Sequence, residues 1–308
     1  GVCRSQLMEV KGHRGKDKWT PHLLGHEASG VVVDVGAEVT KVKPGQEVIL
    51  TWIESNGIEA ATPQYSHNGR AINAGPITTF SNYSIVSENR VVLKPEGLDM
   101  DVAVLFGCAL ATGSGMVLKE LDIRPDQSVV VLGLGGVGMG ALLTLLATGH
   151  KKLVAVDSDP SKCVTAESFG SCTVCSNSAE TILTARPEFA SDGFDICIEA
   201  GGSVATIELG FSLLKAATGV LLFASHPPQG ERLRIDPHEL IVGKQIKGSW
   251  GGALEPDLDI PTLATVFAET DERLRQLTAS RFGLREINEA IKLFSNGEIF
   301  RPILKMEH

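Results

Sequence analysis

Short apolar runs rich in valine and isoleucine recur at residues 129–132, 152–157, 173–175, 194–200 and 219–225, and stretches of helical character at 141–147 and 161–169 lie between them. This alternation predicts βαβ units and a parallel sheet covered on both faces. Residues 239–247, with Trp250, complete the same region. Elsewhere the runs are shorter. Strands are expected at 31–35, 47–51 and 299–305, with two more inside 81–92, and helices at 101–118, 260–269 and 284–296, the last stopped by Asn296-Gly297. The segment 54–79, rich in Asn, Gly, Pro and Ser, reads as an irregular loop. The fold class is therefore α/β with a doubly wound parallel sheet. At 308 residues the chain is long enough for two domains.

The apolar strand at 129–132 runs straight into Gly133-x-Gly135-x-x-Gly138 and then a helix. Gly133 permits the tight turn, Gly135 lets the backbone approach a pyrophosphate, and Gly138 lets helix and strand pack closely. Asp157 ends the next strand, 19 residues after Gly138, close to the roughly 20-residue spacing expected of an acid that binds ribose hydroxyls. A carboxylate there repels a 2′-phosphate and no arginine directly follows it, so NAD is expected rather than NADP.

Composition narrows the class. At 43% hydrophobic and 21% charged residues over 308 positions, the chain is of ordinary soluble globular type. A net charge of −9 and a pI near 5.4, with no basic cluster, exclude a nucleic-acid surface. Residues 128–149 carry no charge and are long enough to span a bilayer, but their glycine density and strand-to-helix order favour a buried βα unit. Six cysteines in a chain this long do not resemble a secreted disulfide framework. Reduced thiols, the absence of a visible signal peptide and no membrane partner together predict a cytoplasmic protein. Cys172-x-x-Cys175 falls on a strand that sends the two side chains to opposite faces, so no redox role is expected of it.

Cys3, His26 and Cys108 make a Cys₂His set. Three protein ligands with a fourth position free is the composition of a catalytic rather than a structural zinc site.

The chain resembles the zinc-dependent medium-chain alcohol dehydrogenase family over essentially its whole length. The residues that carry the resemblance are Gly1-Val-Cys-Arg-Ser5, Gly25-His-Glu27, Gly107-Cys108, Thr112-Gly113, the turn from Gly133 to Gly138, Asp157 with Lys162, Trp250-Gly-Gly252, and Ile287-Asn-Glu-Ala290 leading to Arg301. The resemblance implies two domains, a GroES-like, mainly β catalytic domain formed by 1–109 and 253–308 and a Rossmann NAD-binding domain formed by 110–252. It implies that Cys3, His26 and Cys108 bind zinc, that Glu27 sits behind the metal and can exchange onto it, and that Ser5 takes the alcohol proton. Arg4 and Arg301 match arginines on the cofactor pyrophosphate, where a planar fork suits phosphate oxygens. Thr112 and Val137 match residues against the nicotinamide, Asp157 and Lys162 the adenosine-ribose pair, and Gly133, Gly135, Gly136, Val137 and Gly138 the dinucleotide turn. Trp52 falls either on the substrate pocket or in the core at a strand end.

Three departures from the family pattern stand out. Relatives carry further chain ahead of the Cys3 position, so opening strands are expected to be missing and sheet edges exposed. Residues 54–79 lack the four cysteines of a structural zinc lobe, which leaves one catalytic zinc and no second metal, with His67 a loop side chain. Gln6 stands where relatives have the aspartate that orients the zinc histidine, and Met8 where several have the histidine that passes the proton to solvent. The exit is then expected through the cofactor ribose to water, or to His13 or His22.

These readings converge on a zinc-dependent enzyme that moves a hydride between NAD and a small-molecule alcohol or its aldehyde or ketone, assembled as a homodimer or homotetramer. The alternatives are a zinc-free enone or quinone reductase of the same superfamily and a non-catalytic NAD-binding protein.

Overall fold

The computed structural model describes residues 1–189 and 191–307. The chain divides into two compact units, 1–111 with 254–308, and 112–253. Among the described residues no single helix is long and apolar enough to cross a membrane.

The first unit opens with α1 (Arg4–Val10), followed by β1 (Glu27–Val31), β2 (Glu47–Thr51), a hairpin of β3 (Gln64–His67) and β4 (Arg70–Asn73), β5 (Val91–Leu93) and α2 (Met100–Phe106). β1, β2 and β5 form an antiparallel sheet whose inner face buries Val48 and Val91 against Val42. Helix α3 (Ala109–Gly115) runs on into a π-helical turn at Met116–Glu120.

The second unit contains β6 (Val129–Leu132), α4 (Gly136–Ala147), β7 (Leu153–Asp157), α5 (Pro160–Ser168), β8 (Cys172–Cys175), α6 (Ala179–Ala185), β9 (Ile196–Glu199), α7 (Val204–Ser212), β10 (Val220–Phe223), α8 (Pro237–Val242) and β11 (Gln245–Gly248). Its six parallel strands lie in the order β11-β10-β9-β6-β7-β8, so the order reverses between β6 and β9. The central strands β6 and β9 are buried at every position, whereas the edge strand β8 is mostly open. Helix α4 is buried continuously from Gly138 to Leu145, as its uninterrupted apolar sequence requires. Local chemistry fixes the helix starts. Asp159 caps α5 ahead of Pro160, Ser203 and Thr206 form a capping box on α7, and Asp236 caps α8 ahead of Pro237.

The chain then returns to the first unit through α9 (Pro256–Val266), α10 (Asp271–Leu277), β12 (Arg281–Gly283), α11 (Ile287–Ser295) and β13 (Ile303–Lys305). β12 and β13 pair in parallel, and Asp101 of α2 clamps both, accepting from Arg281 at 2.6 Å and from Lys305.

Several elements differ from the pattern-based expectation. The segment 54–79 is not an irregular loop throughout, because it carries the β3–β4 hairpin. Its two-residue turn, Asn68-Gly69, adopts positive φ at both positions (51° and 75°), the geometry a right-twisted hairpin requires. The valine-rich strand ends at Val31, and Val33 is 69% exposed, so the valines beyond it are not a buried run. Residues 81–92 supply one strand, β5, rather than two. Ser81 and Ser84 instead bond each other across a bend (2.9 Å), satisfying locally groups that a strand would direct outward. Helix α1 was not signalled by any apolar period. The final strand is confined to Ile303–Lys305, and the expected helix at 260–269 begins earlier, at Pro256.

Candidate active site

In the first unit three elements converge on one point. Cys3 is the N-cap of α1, His26 directly precedes β1, and Cys108 lies between α2 and α3. Glycines beside His26 and Cys108 make those two approaches feasible. Gly25 has φ +93°, and a Cβ there would lie 2.4 Å from Thr79 Oγ1; Gly107 would meet the Leu50 carbonyl oxygen at 2.4 Å. Leu24 O anchors the turn before His26 by accepting from the N–H groups of Thr79 and Phe80. The result is a cluster in which the ligand atoms of Cys3, His26 and Cys108 all lie within 4.8 Å of one another. The two sulfurs are 4.0 Å apart, and His26 Nε2 is 3.3 Å from Cys108 Sγ. Hydrogen bonding from the Cys108 thiol, helped by the charges of Arg301 and His26, holds the Cys3 thiol well below its ordinary range; the same bond pushes Cys108 up.

Glu27 is fully buried beside this cluster. Its Oε2 accepts from Arg301 Nη2, while Oε1, also buried, has no hydrogen-bond partner. An orphaned carboxylate oxygen and three borderline-soft donors are a donor set that fits a zinc ion. Arg301 is itself only 4% exposed and is turned onto Glu27. Arg4 is exposed in the first turn of α1. Ser5 is half-buried, and its hydroxyl donates to Gln6 Oε1 at 3.5 Å. Of the two histidines named for proton exit, His13 is exposed, whereas His22 is pinned: Nδ1 lies 2.8 Å from Leu23 O and Nε2 2.8 Å from Asp17 Oδ2.

The segment 54–60 is organised without cysteines. Glu88 accepts backbone N–H groups from Thr40, Lys41 and Ile58, and Arg90 donates to the Trp52 carbonyl oxygen and to Glu54 and Glu59. Both are 6% exposed. No apolar period or motif marks these residues, so pattern reading missed them.

In the second unit Gly133 has φ +87°, and a Cβ on Gly138 would lie 1.8 Å from the Gly133 carbonyl oxygen. A Cβ on Gly135 would meet nothing within 4 Å. One glycine turns, one packs, and the third leaves open space over the backbone at the start of α4, which is what a bound pyrophosphate needs. Gly136 and Val137 open α4, both part-exposed. Asp157 ends β7 with its carboxylate accepting from the N–H groups of Leu134 (2.7 Å) and Asp159 (2.9 Å). Lys162 lies 3.8 Å from Asp157 and 3.7 Å from Asp159. Thr112 is buried, and the neighbouring Gly113 packs so closely on α4 that a Cβ would meet the Val137 carbonyl oxygen at 2.2 Å. The Trp250-Gly-Gly252 segment passes equally close, since a Cβ on Gly252 would lie 2.5 Å from the Thr112 carbonyl oxygen. Cys172 contacts Arg186 and Cys175 lies 3.8 Å from Ser158 O, so the two thiols have separate partners.

Residues 1–96 match the family model of the alcohol dehydrogenase GroES-like domain, and residues 136–269 that of the zinc-binding dehydrogenase. The chain belongs to the medium-chain alcohol dehydrogenase family. It is an oxidoreductase of alcohol dehydrogenase type, built from a GroES-like and a Rossmann domain. Among solved structures, benzyl alcohol dehydrogenase from Acinetobacter calcoaceticus is similar with a TM-score of 0.86 at 24% identity, covering 100% of this chain and 90% of that one. An alcohol dehydrogenase zinc-binding domain protein from Burkholderia ambifaria has a TM-score of 0.85 at 24% identity, with the same coverages. The 2R,3R-butanediol dehydrogenase from Bacillus subtilis has a TM-score of 0.77 at 20% identity, covering 99% of this chain and 89% of that one. At these identities the likeness is one of fold.

Proposed function

We propose that this family member is a zinc- and NAD-dependent dehydrogenase that interconverts a small alcohol and its aldehyde or ketone. The observation that carries the reading is the convergence of Cys3, His26 and Cys108 within 4.8 Å beside Glu27, whose buried Oε1 has no hydrogen-bond partner. These three residues would hold one zinc ion, with Glu27 behind it. When bound, zinc supplies Lewis acidity at the substrate oxygen and NAD accepts the hydride. The remaining work belongs to the chain. Ser5 would take the hydroxyl proton and release it to water, while Gln6 Oε1 accepts the Ser5 hydroxyl's hydrogen bond and so orients it without taking the proton. Gly133, Gly135, Gly136, Val137 and Gly138 present backbone to the pyrophosphate, and Arg4 adds a cation there. Arg301, turned onto Glu27, fixes that carboxylate; its match to a pyrophosphate-binding arginine comes from the resemblance. Asp157 receives the ribose hydroxyls with Lys162 at its side, and Thr112 and Val137 pack against the nicotinamide.

A homo-oligomer fits the open edge strand β11 and the neighbouring α8, where Leu240, Ile241 and Val242 are 41%, 81% and 48% exposed. Six free thiols fit a reducing, cytoplasmic compartment.

The test is zinc per chain by elemental analysis on protein purified without chelator, with Cys108→Ser alongside, followed by an alcohol panel with NAD and NADP. About one zinc per chain, lost in the variant, together with NAD-linked turnover, supports the reading. A folded, NAD-binding protein without zinc that reduces enones would instead establish a zinc-free reductase. Zinc and NAD binding without turnover on any alcohol would establish a binding role.

A further inference from the structure

Glu199 is the last residue of β9 and is completely buried. No apolar pattern calls for a carboxylate at the end of a central strand, where an ion loses its hydration. It is kept there by four donors. Oε1 accepts from the N–H groups of Gly201 (2.8 Å) and Gly202 (3.2 Å) and from Thr206 Oγ1 (2.7 Å), and Oε2 accepts from Ser225 Oγ. These donors come from three places: the turn after β9, the first turn of α7 and the residues just beyond β10.

The location matters because Glu199 lies level with Leu132 in the β6–β9 ladder. Those are the two strands between which the sheet order reverses, the point where α/β sheets bind ligands at their carboxyl ends. The glycine turn after Leu132 rests on the very residues Glu199 holds. A Cβ on Gly133 would lie 2.5 Å from both N and Cα of Gly201 and 2.7 Å from the carbonyl carbon of Ala200. Gly138 backs onto the same Ala200, whose Cβ would be 3.5 Å away.

We infer that Glu199 is a positioning residue for the dinucleotide, acting through Gly201 on the phosphate-facing turn at Gly133 and, through Ser225, on the chain leaving β10. The inference rests on the NAD reading above and extends it to a residue with no contact to cofactor assigned. Burial raises the Glu199 carboxyl above its ordinary range. The four donors favour the carboxylate but do not outweigh the loss of hydration. What the site requires is an acceptor of this shape, so glutamine should serve and alanine should not. The glutamine amide oxygen can accept from Gly201, Gly202 and Thr206, while its nitrogen donates to Ser225.

The test measures NADH binding by fluorescence on the full-length, zinc-loaded chain, first for the wild type and then for Glu199→Gln, Glu199→Ala and the double variant Thr206→Val/Ser225→Ala. Melting temperature and the KM values for NAD and for alcohol are read in parallel. Glu199→Ala is expected to weaken NADH about tenfold, as loss of an acceptor that leaves buried donors unsatisfied implies, raising KM for NAD while KM for alcohol holds. Glu199→Gln is expected to stay within about twofold. The double variant, which keeps the carboxylate but removes two donors, is expected to fall between them. Unchanged NADH affinity in Glu199→Ala with a lowered melting temperature would make the residue merely structural and overturn the inference. Glutamine binding as weakly as alanine would overturn it too, by making charge rather than shape the requirement. If Glu199→Ala does not fold, the double variant decides: unchanged affinity there overturns the inference and weakened affinity supports it. A wild type that fails to bind NADH removes the cofactor reading itself, a result distinct from any change among the variants.

Discussion

Arg301 and Glu27 meet in a buried ion pair although 274 residues separate them, with 4% and 0% of their side chains exposed. The pair lies near enough to the Cys3–His26–Cys108 cluster for the Arg301 charge to act on Cys3, and Arg301 holds the carboxylate whose other oxygen lacks a hydrogen bond.

Breaking one side of such a pair strands the other charge. Arg301→Met is expected to destabilise the first unit by about 3–5 kcal/mol, and the double variant Glu27→Gln/Arg301→Met by less than the sum of the singles. A double-mutant cycle of urea denaturation midpoints checks this. Additive single effects would show that the two side chains do not interact.

Removing the metal should separate the two halves of the chemistry. A strong zinc chelator is expected to abolish alcohol turnover while NADH binding persists, because the dinucleotide turn and Asp157 belong to the second unit and the cysteine–histidine cluster to the first. Added zinc should restore turnover. Fluorescence titration before and after chelation, paired with metal analysis, reads both.

The Glu88 clasp is expected to fail in acid. Three backbone N–H groups, that of Ile58 foremost, hold its carboxyl below the ordinary 4.5. A depressed carboxyl contributes stability that is fully present above the unfolded value and is lost as pH falls through the lower native one. Amide protection of residues 40, 41 and 58, taken relative to the intrinsic exchange rate at each pH, should therefore hold at pH 5 and fall well below pH 4.5. Glu88→Gln should remove that acid dependence and cost about 1–3 kcal/mol for donors left poorly matched.

His22 works in the opposite sense. Its hydrogen bonds to Leu23 O and Asp17, with Glu9 at 3.7 Å, raise it above 6.5 against the opposing effect of burial. A raised histidine contributes stability below its unfolded value that is lost as pH climbs through the native one. Segment 11–24 is expected to loosen in alkali, with His22→Gln loosening it already at pH 6. Protection across that segment, taken relative to the intrinsic exchange rate at pH 6 and at pH 9, tests this. A pH profile of turnover unchanged by His22→Gln would separate the residue from the proton path.

What the sequence alone determined lies mostly in the second unit, where the determinants are local. A buried strand, three glycines with distinct steric duties and an acid at the next strand end follow one another closely in the chain: Gly133 turns with positive φ, Gly138 packs on it, and Asp157 ends β7. The family and its two domains were legible for the same reason. Tertiary structure decided the rest. The hairpin at Asn68-Gly69 was signalled locally but lay hidden within a polar stretch. Cys3 and Cys108, 105 residues apart, become neighbours only in the folded chain, where Gly107, beside Cys108, packs under the Leu50 carbonyl oxygen. Glu27, Arg301, Glu88, Arg90 and Glu199 are charged residues in buried positions. Their partners are chosen by where the chain returns, and periodicity carries no information about that.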